Sequence, residues 1–332
     1  MAAPLHEARY YRKLEDSRVQ CLLCPQGCTI APGKTGICLA RENHDGTLIA
    51  ASYGQATSVA MDPIEKKPLY HFHPGADILS IGSWGCNFKC SFCQNWSISQ
   101  QQAPSDYVEP ADAVKLARQH RSIGISYTYN EPLVSYEYVY DTSKLAREAG
   151  MVNVLVTNGS INPVPLAELL PLIDALNIDI KSIRDEFYRK LCRARLQPVL
   201  DTCIAARKAC HVEITNLVIP GQDDSEQDLT DLADWIAANL GREMPVHLSA
   251  YFPRYQMRER PTPPETLNMA YGIFGQRLDF VYIGNVLASH ASNTTCKSCG
   301  QLLIERHGYS VRVLGLRGST CSKCGAANNI IV

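Results

Sequence analysis

The chain has 332 residues, is 45% hydrophobic and 20% charged, and carries a formal net charge of -1. Those values exclude intrinsic disorder and collagen-like repeats, and the absence of like-charge blocks excludes the electrostatic footprint of a protein that tracks nucleic acid or an anionic membrane. Residues 1–20 hold Glu7, Glu15 and Asp16 without an apolar core, and no apolar run of ~18 residues follows, so the sequence predicts neither signal peptide nor membrane span, and a soluble, cytoplasmic chain.

Of the fourteen cysteines, all but Cys192, Cys203 and Cys210 fall into three tight groups, a pattern of metal ligation rather than of a disulfide framework. Those three stand apart from any ligand spacing and read as buried apolar thiols. In chain order the first group is Cys21, Cys24, Cys28 and Cys38, spaced C-x2-C-x3-C-x9-C, with turns marked by Pro32, Gly33 and Gly36. Zinc and an auxiliary iron–sulfur cluster both suit that set. The stretch Lys66 to Gly75 concentrates basic and aromatic residues. It reads as a packed connector, with His71 or His73 as acid or base in the functional alternative.

From residue 78 short apolar runs alternate with amphipathic stretches. Strands are expected at Ile78–Ile81, Gly124–Thr128, Val152–Thr157, Leu176–Ile180, Val212–Ile219 and Val246–Ser249, with Phe280–Ile283 closing or extending the set. Helices are expected near 110–120, 133–149, 163–172, 185–209, 225–240 and 263–277. Six β/α units with right-handed crossovers make a parallel sheet, and chemistry gathers where the strand C-termini converge. The polar residues at those ends are Cys86, Asn130, Glu131, Thr157, Asn158, Lys181, Gly221 and the segment after His247.

Directly after the first strand, Gly85 to Cys93 places Cys86, Cys90 and Cys93 in one C-x3-C-x2-C loop. Three thiolates leave one iron of a [4Fe-4S] cluster open, and an open iron can chelate the amino and carboxylate groups of S-adenosylmethionine (SAM). One electron into the sulfonium then breaks a C–S bond and yields a 5′-deoxyadenosyl radical. A zinc site completed by a distant ligand is the alternative, although the spacing lacks paired knuckles. In the tail, Cys296, Cys299, Cys321 and Cys324 form two C-x2-C-G knuckles around strand-like Leu302–Ile304 and Val311–Leu314. Four thiolates close a structural zinc site, with rubredoxin-like iron as the alternative. Residues 1–74 thus read as a Cys-rich segment and connector, 75–290 as the β/α body, and 291–332 as a zinc-ribbon-like domain.

These motifs make the chain resemble the radical SAM superfamily, and more closely the AmmeMemoRadiSam system radical SAM enzymes related to pyruvate formate-lyase activating enzyme. The resemblance runs through Cys21-Leu-Leu-Cys24-Pro, Asp62 to His71, Cys86 to Trp96, Tyr127 to Pro132, Leu217 to Gly221 and Val281 to Asn285. It implies a partial (β/α)6 barrel whose cluster, held by Cys86, Cys90 and Cys93, binds SAM. Asn130, Glu131 and Pro132 stand where that superfamily has a Gly-Gly-Glu-Pro loop, so Glu131 is expected to face the SAM ammonium; Tyr129 and Asn130 replace the usual glycines. Asp179 and Lys181 match a D-x-K pair, with Lys181 expected on the SAM carboxylate. Thr157, Asn158, Pro220, Gly221 and His247 match strand ends used for ribose, adenine or cation contacts, and Phe92 either packs on adenine or fills its loop. The implied function is reductive SAM cleavage and hydrogen abstraction from an unidentified protein or small-molecule substrate, fed by an external one-electron donor, with glycyl-radical activation as nearest analogy. The rival is a zinc-binding scaffold with a catalytically inactive barrel.

Overall fold

The structure is a computed structural model that describes residues 5–286 and 291–332; the domain boundary expected at 290 lies outside the described residues. Its centre is an eight-stranded sheet in which β1 (Ser58–Pro63) pairs antiparallel with β2 (Asp77–Gly82). From β2 the strands run parallel through β3 (Gly124–Tyr127), β4 (Val152–Thr157), β5 (Ala175–Asp179), β6 (His211–Val218), β7 (Val246–Ala250) and β8 (Val281–Gly284). Each expected strand is present within a residue or two, and the Phe280–Ile283 run extends the sheet as β8. Edge strand β1 was not anticipated: it brings residues 58–63 into the sheet from the segment expected to lie outside the body.

The parallel strands are buried on both faces, as sheets covered by crossover helices must be, so they read as near-continuous apolar runs. Gly124 opens β3 because a Cβ there would sit 1.8 Å from the Val152 carbonyl oxygen. The covering helices are α1 (Pro110–Gln119), α2 (Tyr136–Glu148), α3 (Pro163–Leu169), α4 (Gln197–Ala209), α5 (Glu226–Asn239) and α6 (Pro264–Gly275). Helix α5 shows the pattern: Ser225 caps it by accepting from the Asp228 N–H, and Leu229, Leu232, Ala233 and Ile236 form the buried stripe.

The stretch expected as one helix over 185–209 is broken. A single turn, Asp185–Phe187, passes into a π-helical turn at Tyr188–Cys192, Arg193 takes a left-handed φ of 51°, and Pro198 then opens α4. The carbonyls displaced from the helical ladder are put to use: Cys192 O and Leu191 O accept from Lys89 N (2.8 Å) and Ser91 N (2.9 Å), pinning the loop that carries the central cysteines.

The connector plugs the N-terminal end of the sheet. Ile64, Leu69 and Phe72 pack with Ile78, Val154 and Ala175, and Asn177 donates to Pro68 O. The tail docks on this plug, with an antiparallel sheet of Thr294–Thr295, Leu302–His307 and Ser310–Val313. Among the described residues no helix is long and apolar enough to cross a membrane.

Candidate active site

At the C-terminal ends of the strands lies a cavity of about 430 Å³. Of the residues expected there, Cys86, Cys90, Cys93, Phe92, Asn130, Glu131, Thr157, Asn158, Asp179 and Lys181 all line it. The cysteine loop is set by backbone geometry. Gly85, at φ +94°, turns the chain beside Cys38, and Phe88 N donates to Cys86 Sγ at 3.3 Å. Ser99 Oγ stands 3.1 Å from Cys93 Sγ, and Asn158 Nδ2 lies 3.6 Å from Cys86 Sγ.

Burial, followed by the charge of Glu131, pushes the Cys86 thiol well above its usual pKa. Burial likewise raises Cys93. Cys90 is raised by its contact with the Cys192 thiol and then by burial. Such thiols are poor free nucleophiles, so the chemistry they fit is ligation, where a metal displaces the proton. Three cavity-lining sulfurs, of which Cys86 and Cys93 already have N–H or O–H partners, are a set that would hold a [4Fe-4S] cluster with one iron free of a protein ligand.

Glu131 is 3% exposed, and three protein donors reach its carboxylate: Thr157 Oγ1 (2.6 Å) and Leu133 N (3.1 Å) to Oε1, and Asn158 N (2.7 Å) to Oε2. Burial raises its pKa to about 7. A carboxylate has about four acceptor positions, so one is left for a cation arriving in the cavity. Asp179 Oδ2 holds Lys181 Nζ at 3.0 Å; burial opposes the Lys181 charge, but Asp179 together with the Cys90 and Cys192 sulfurs outweighs it and raises the ammonium pKa. Lys181 Nζ also lies 5.9 Å from the Phe92 ring centre.

Several expectations change. Asn158 faces the cysteine loop as well as the cavity, donating to Asn87 Oδ1 at 2.9 Å. His247 is the clear departure: expected at the SAM site, its ring instead hydrogen-bonds Glu213 at 2.7 Å and stacks on Tyr282, away from the residues that line the cavity. It is the second residue of β7, near the end opposite the mouth, where Glu213 also accepts the N–H groups of Tyr70 and His71. His71 is fully buried in the plug, and neither it nor His73 lines the cavity; Pro220 and Gly221 also stand outside the lining. Asn87, Ser99 and Asn285 are cavity or loop residues that motif reading missed. Asn285 ties the ends of β7 and β8 by bonding both N and O of Ala250, and its place in the Val281 to Asn285 motif was the available signal.

In the tail, the sulfurs of Cys296, Cys299, Cys321 and Cys324 lie within 4.8 Å of one another, with Cys296–Cys324 at 3.6 Å and Cys299–Cys321 at 3.7 Å. Tetrahedral Zn–S bonds of about 2.3 Å put sulfurs about 3.8 Å apart, so the set fits zinc. Burial raises the Cys296 thiol, but the N–H groups of Ser298 and Cys299 and the Asn328 amide bring it down to about 6, which favours the ligating thiolate.

A family model described as the radical SAM superfamily matches residues 81–235. The uncharacterized protein MJ0808 of Methanocaldococcus jannaschii is 46% identical over 99% of this chain and 100% of its own length. The pyruvate formate-lyase-activating enzyme of Clostridium pasteurianum is 24% identical over 50% of this chain and 72% of its own length. Among solved structures, a radical SAM methyltransferase from Sphaerobacter thermophilus superposes with a TM-score of 0.52 over 90% of this chain and 81% of its own, at 16% identity, a likeness of fold alone.

Proposed function

The chain belongs to the radical SAM superfamily, whose members are enzymes, and from that premise we propose that it cleaves SAM reductively and removes a hydrogen atom from a peptide or small-molecule substrate. The observation that carries this reading is the convergence of Cys86, Cys90, Cys93, Glu131 and the Asp179–Lys181 pair on one cavity at the strand C-termini. Cys86, Cys90 and Cys93 would hold the [4Fe-4S] cluster, which when bound with SAM supplies the electron that breaks the C–S bond.

The protein's own groups then have defined tasks. Glu131 offers its remaining acceptor position to the SAM ammonium, and Lys181 offers a cation to the SAM carboxylate. Phe92 gives an apolar wall beside both, and the plug under the sheet keeps the far end of the barrel dry. Glycyl-radical activation stays the nearest analogy for the substrate, and fold likeness does not choose it.

Reduced under anaerobic conditions, the protein is expected to convert SAM to methionine and 5′-deoxyadenosine, and Cys86→Ala, Cys90→Ala and Cys93→Ala are each expected to abolish the reaction. Cleavage that survives the triple alanine variant would sink the proposal. A chain that binds zinc but no iron after reconstitution would favour a scaffold instead.

A further inference from the structure

The N-terminal cysteines form a second centre beside the first. Cys21, Cys24, Cys28 and Cys38 line one enclosed cavity together with the Arg41 side chain. They stand close enough to act on one another electrostatically, Cys24 with Cys21 and Cys38, and Cys38 with Cys21 and Cys28. Yet among the described residues only the tail cysteines gather three or more ligand atoms within 4.8 Å. The N-terminal four are therefore set wider than a single zinc ion draws its sulfurs, and in this they match Cys86, Cys90 and Cys93 rather than the tail. A wider cage of four thiolates fits a cluster of several irons. Arg41 adds to the fit: it is 1% exposed, held by Glu137 at 2.7 and 2.8 Å, and faces Cys21 and Cys38. A fixed cation beside a cluster favours the state carrying one more electron.

The two centres share a wall. A Cβ on Gly85 would lie 2.4 Å from Cys38 O, so the central loop begins in van der Waals contact with the N-terminal set. Gln26 Nε2 donates to Asn87 O at 2.9 Å. The Asn87 side chain donates to Ser160 O at 2.7 Å, acts on the Cys24 thiol on one side and on the other accepts from Asn158, which reaches Cys86. Lys89, half-buried, lies within the field of Cys38, Cys86 and Cys93 together. One residue thus separates a thiol of each set. The outer set also reaches the surface: Cys24 and Cys28 are partly exposed beside Leu22, which is 40% exposed.

We propose that Cys21, Cys24, Cys28 and Cys38 hold a second iron–sulfur cluster that relays single electrons from an external donor to the centre of Cys86, Cys90 and Cys93 across the Gly85–Lys89 loop. This rests on the radical SAM reading of that inner centre. The balance is one electron in and one out: the outer centre is reduced by one electron from a low-potential electron-carrier protein and returns to its oxidised state as the inner centre is reduced. No bond breaks at the cysteines and no proton moves.

The test is metal analysis and electron paramagnetic resonance of the full chain after anaerobic reconstitution with iron and sulfide. The expected content is about eight irons and about one zinc per chain. With dithionite reducing both centres, the spectrum is expected to show spin–spin splitting, which Cys24→Ser with Cys38→Ser should remove together with half of the iron. About four irons with about two zincs in the parent protein would overturn the proposal without any variant being made. Two reduced signals without mutual coupling would overturn the relay. Failure of the parent to cleave SAM with dithionite would instead sink the radical SAM reading, which a simple zinc result at the outer set leaves standing.

Discussion

Glu131 carries two tasks in one carboxylate. Three protein donors make it the clamp between the loop after β3 and the end of β4, while its fourth acceptor position opens on the cavity. Glu131→Gln replaces one oxygen by an amide that cannot accept, so at least one of these donors loses its partner at a cost of about 1–3 kcal/mol. The lost charge-assisted bond to the SAM ammonium is worth about 1.5–3 kcal/mol, a tenfold to hundredfold loss of affinity. Because burial places the Glu131 pKa at about 7, the parent carboxyl is largely protonated at pH 6 and ionised at pH 8. SAM affinity, measured by calorimetry on the reconstituted protein, should therefore rise from pH 6 to pH 8 in the parent and change little in Glu131→Gln, with iron content alike in both. Equal affinities would show that the ammonium sits elsewhere. The carboxylate's position was legible from its motif, whereas its clamp role was not, because two of the three donors, Thr157 and Asn158, come from the end of β4 and no local spacing records them.

At the scale of elements, the loop Gly85–Cys93 is held from three sides: by Ile98 O accepting from Gly85 N, by the π-helical turn, and by the N-terminal segment at Cys38. Gly85→Ala would force a Cβ to 2.4 Å from the Cys38 carbonyl in a backbone conformation of φ +94°, strain of about 1–3 kcal/mol or more. The expected result is a lower melting temperature and metal loss from the central and N-terminal cysteines alike, with the tail metal retained. Full metal content in Gly85→Ala would mean that the loop is not braced in this way. The β/α alternation was readable because strands buried on both faces leave long apolar runs and amphipathic helices leave stripes. The π-helical turn was not, since both halves of 185–209 carry helical patterning; Pro198 was the breaker signal. Strand β1 escaped because its half-exposed pattern takes meaning only from pairing with β2. His247 misled because a residue two places into a strand faces the end opposite the mouth, whatever motif surrounds it.

Across the whole molecule, chemistry and stability occupy opposite ends of the sheet. The tail contacts the plug and the loop before β7: Arg306 donates to Tyr70 O at 2.6 Å, Ile331 N to His71 O at 2.8 Å, His73 N to Ile331 O at 2.7 Å and Asn329 Nδ2 to Glu243 O at 3.3 Å. Cys296→Ser with Cys299→Ser should therefore remove zinc and lower the melting temperature while leaving the reduced central cluster's resonance intact; loss of that resonance would show the two ends to be coupled. His71 sits at the junction. Its Nδ1–H faces the Asn329 carbonyl at 3.2 Å, so Nε2 is the acceptor for Tyr282 Oη–H at 2.6 Å, and the chain continues through Thr294 Oγ1 to Arg306. That directed chain requires a neutral ring, and burial lowers the His71 pKa to about 3. The unfolded chain takes up this proton near pH 6.5 and the folded one does not, so the stability His71 contributes is complete above pH 6.5 and is lost as pH falls toward 3, at about 1.4 kcal/mol per pH unit. Denaturant unfolding of the metal-loaded protein should lose about 1–2 kcal/mol between pH 7.5 and 5.5. His71→Gln should be less stable at pH 7.5, having broken the chain, yet lose less over the same interval. Equal pH slopes for the two proteins would remove His71 as the source, and would leave the tail's docking on the plug without its titrating link.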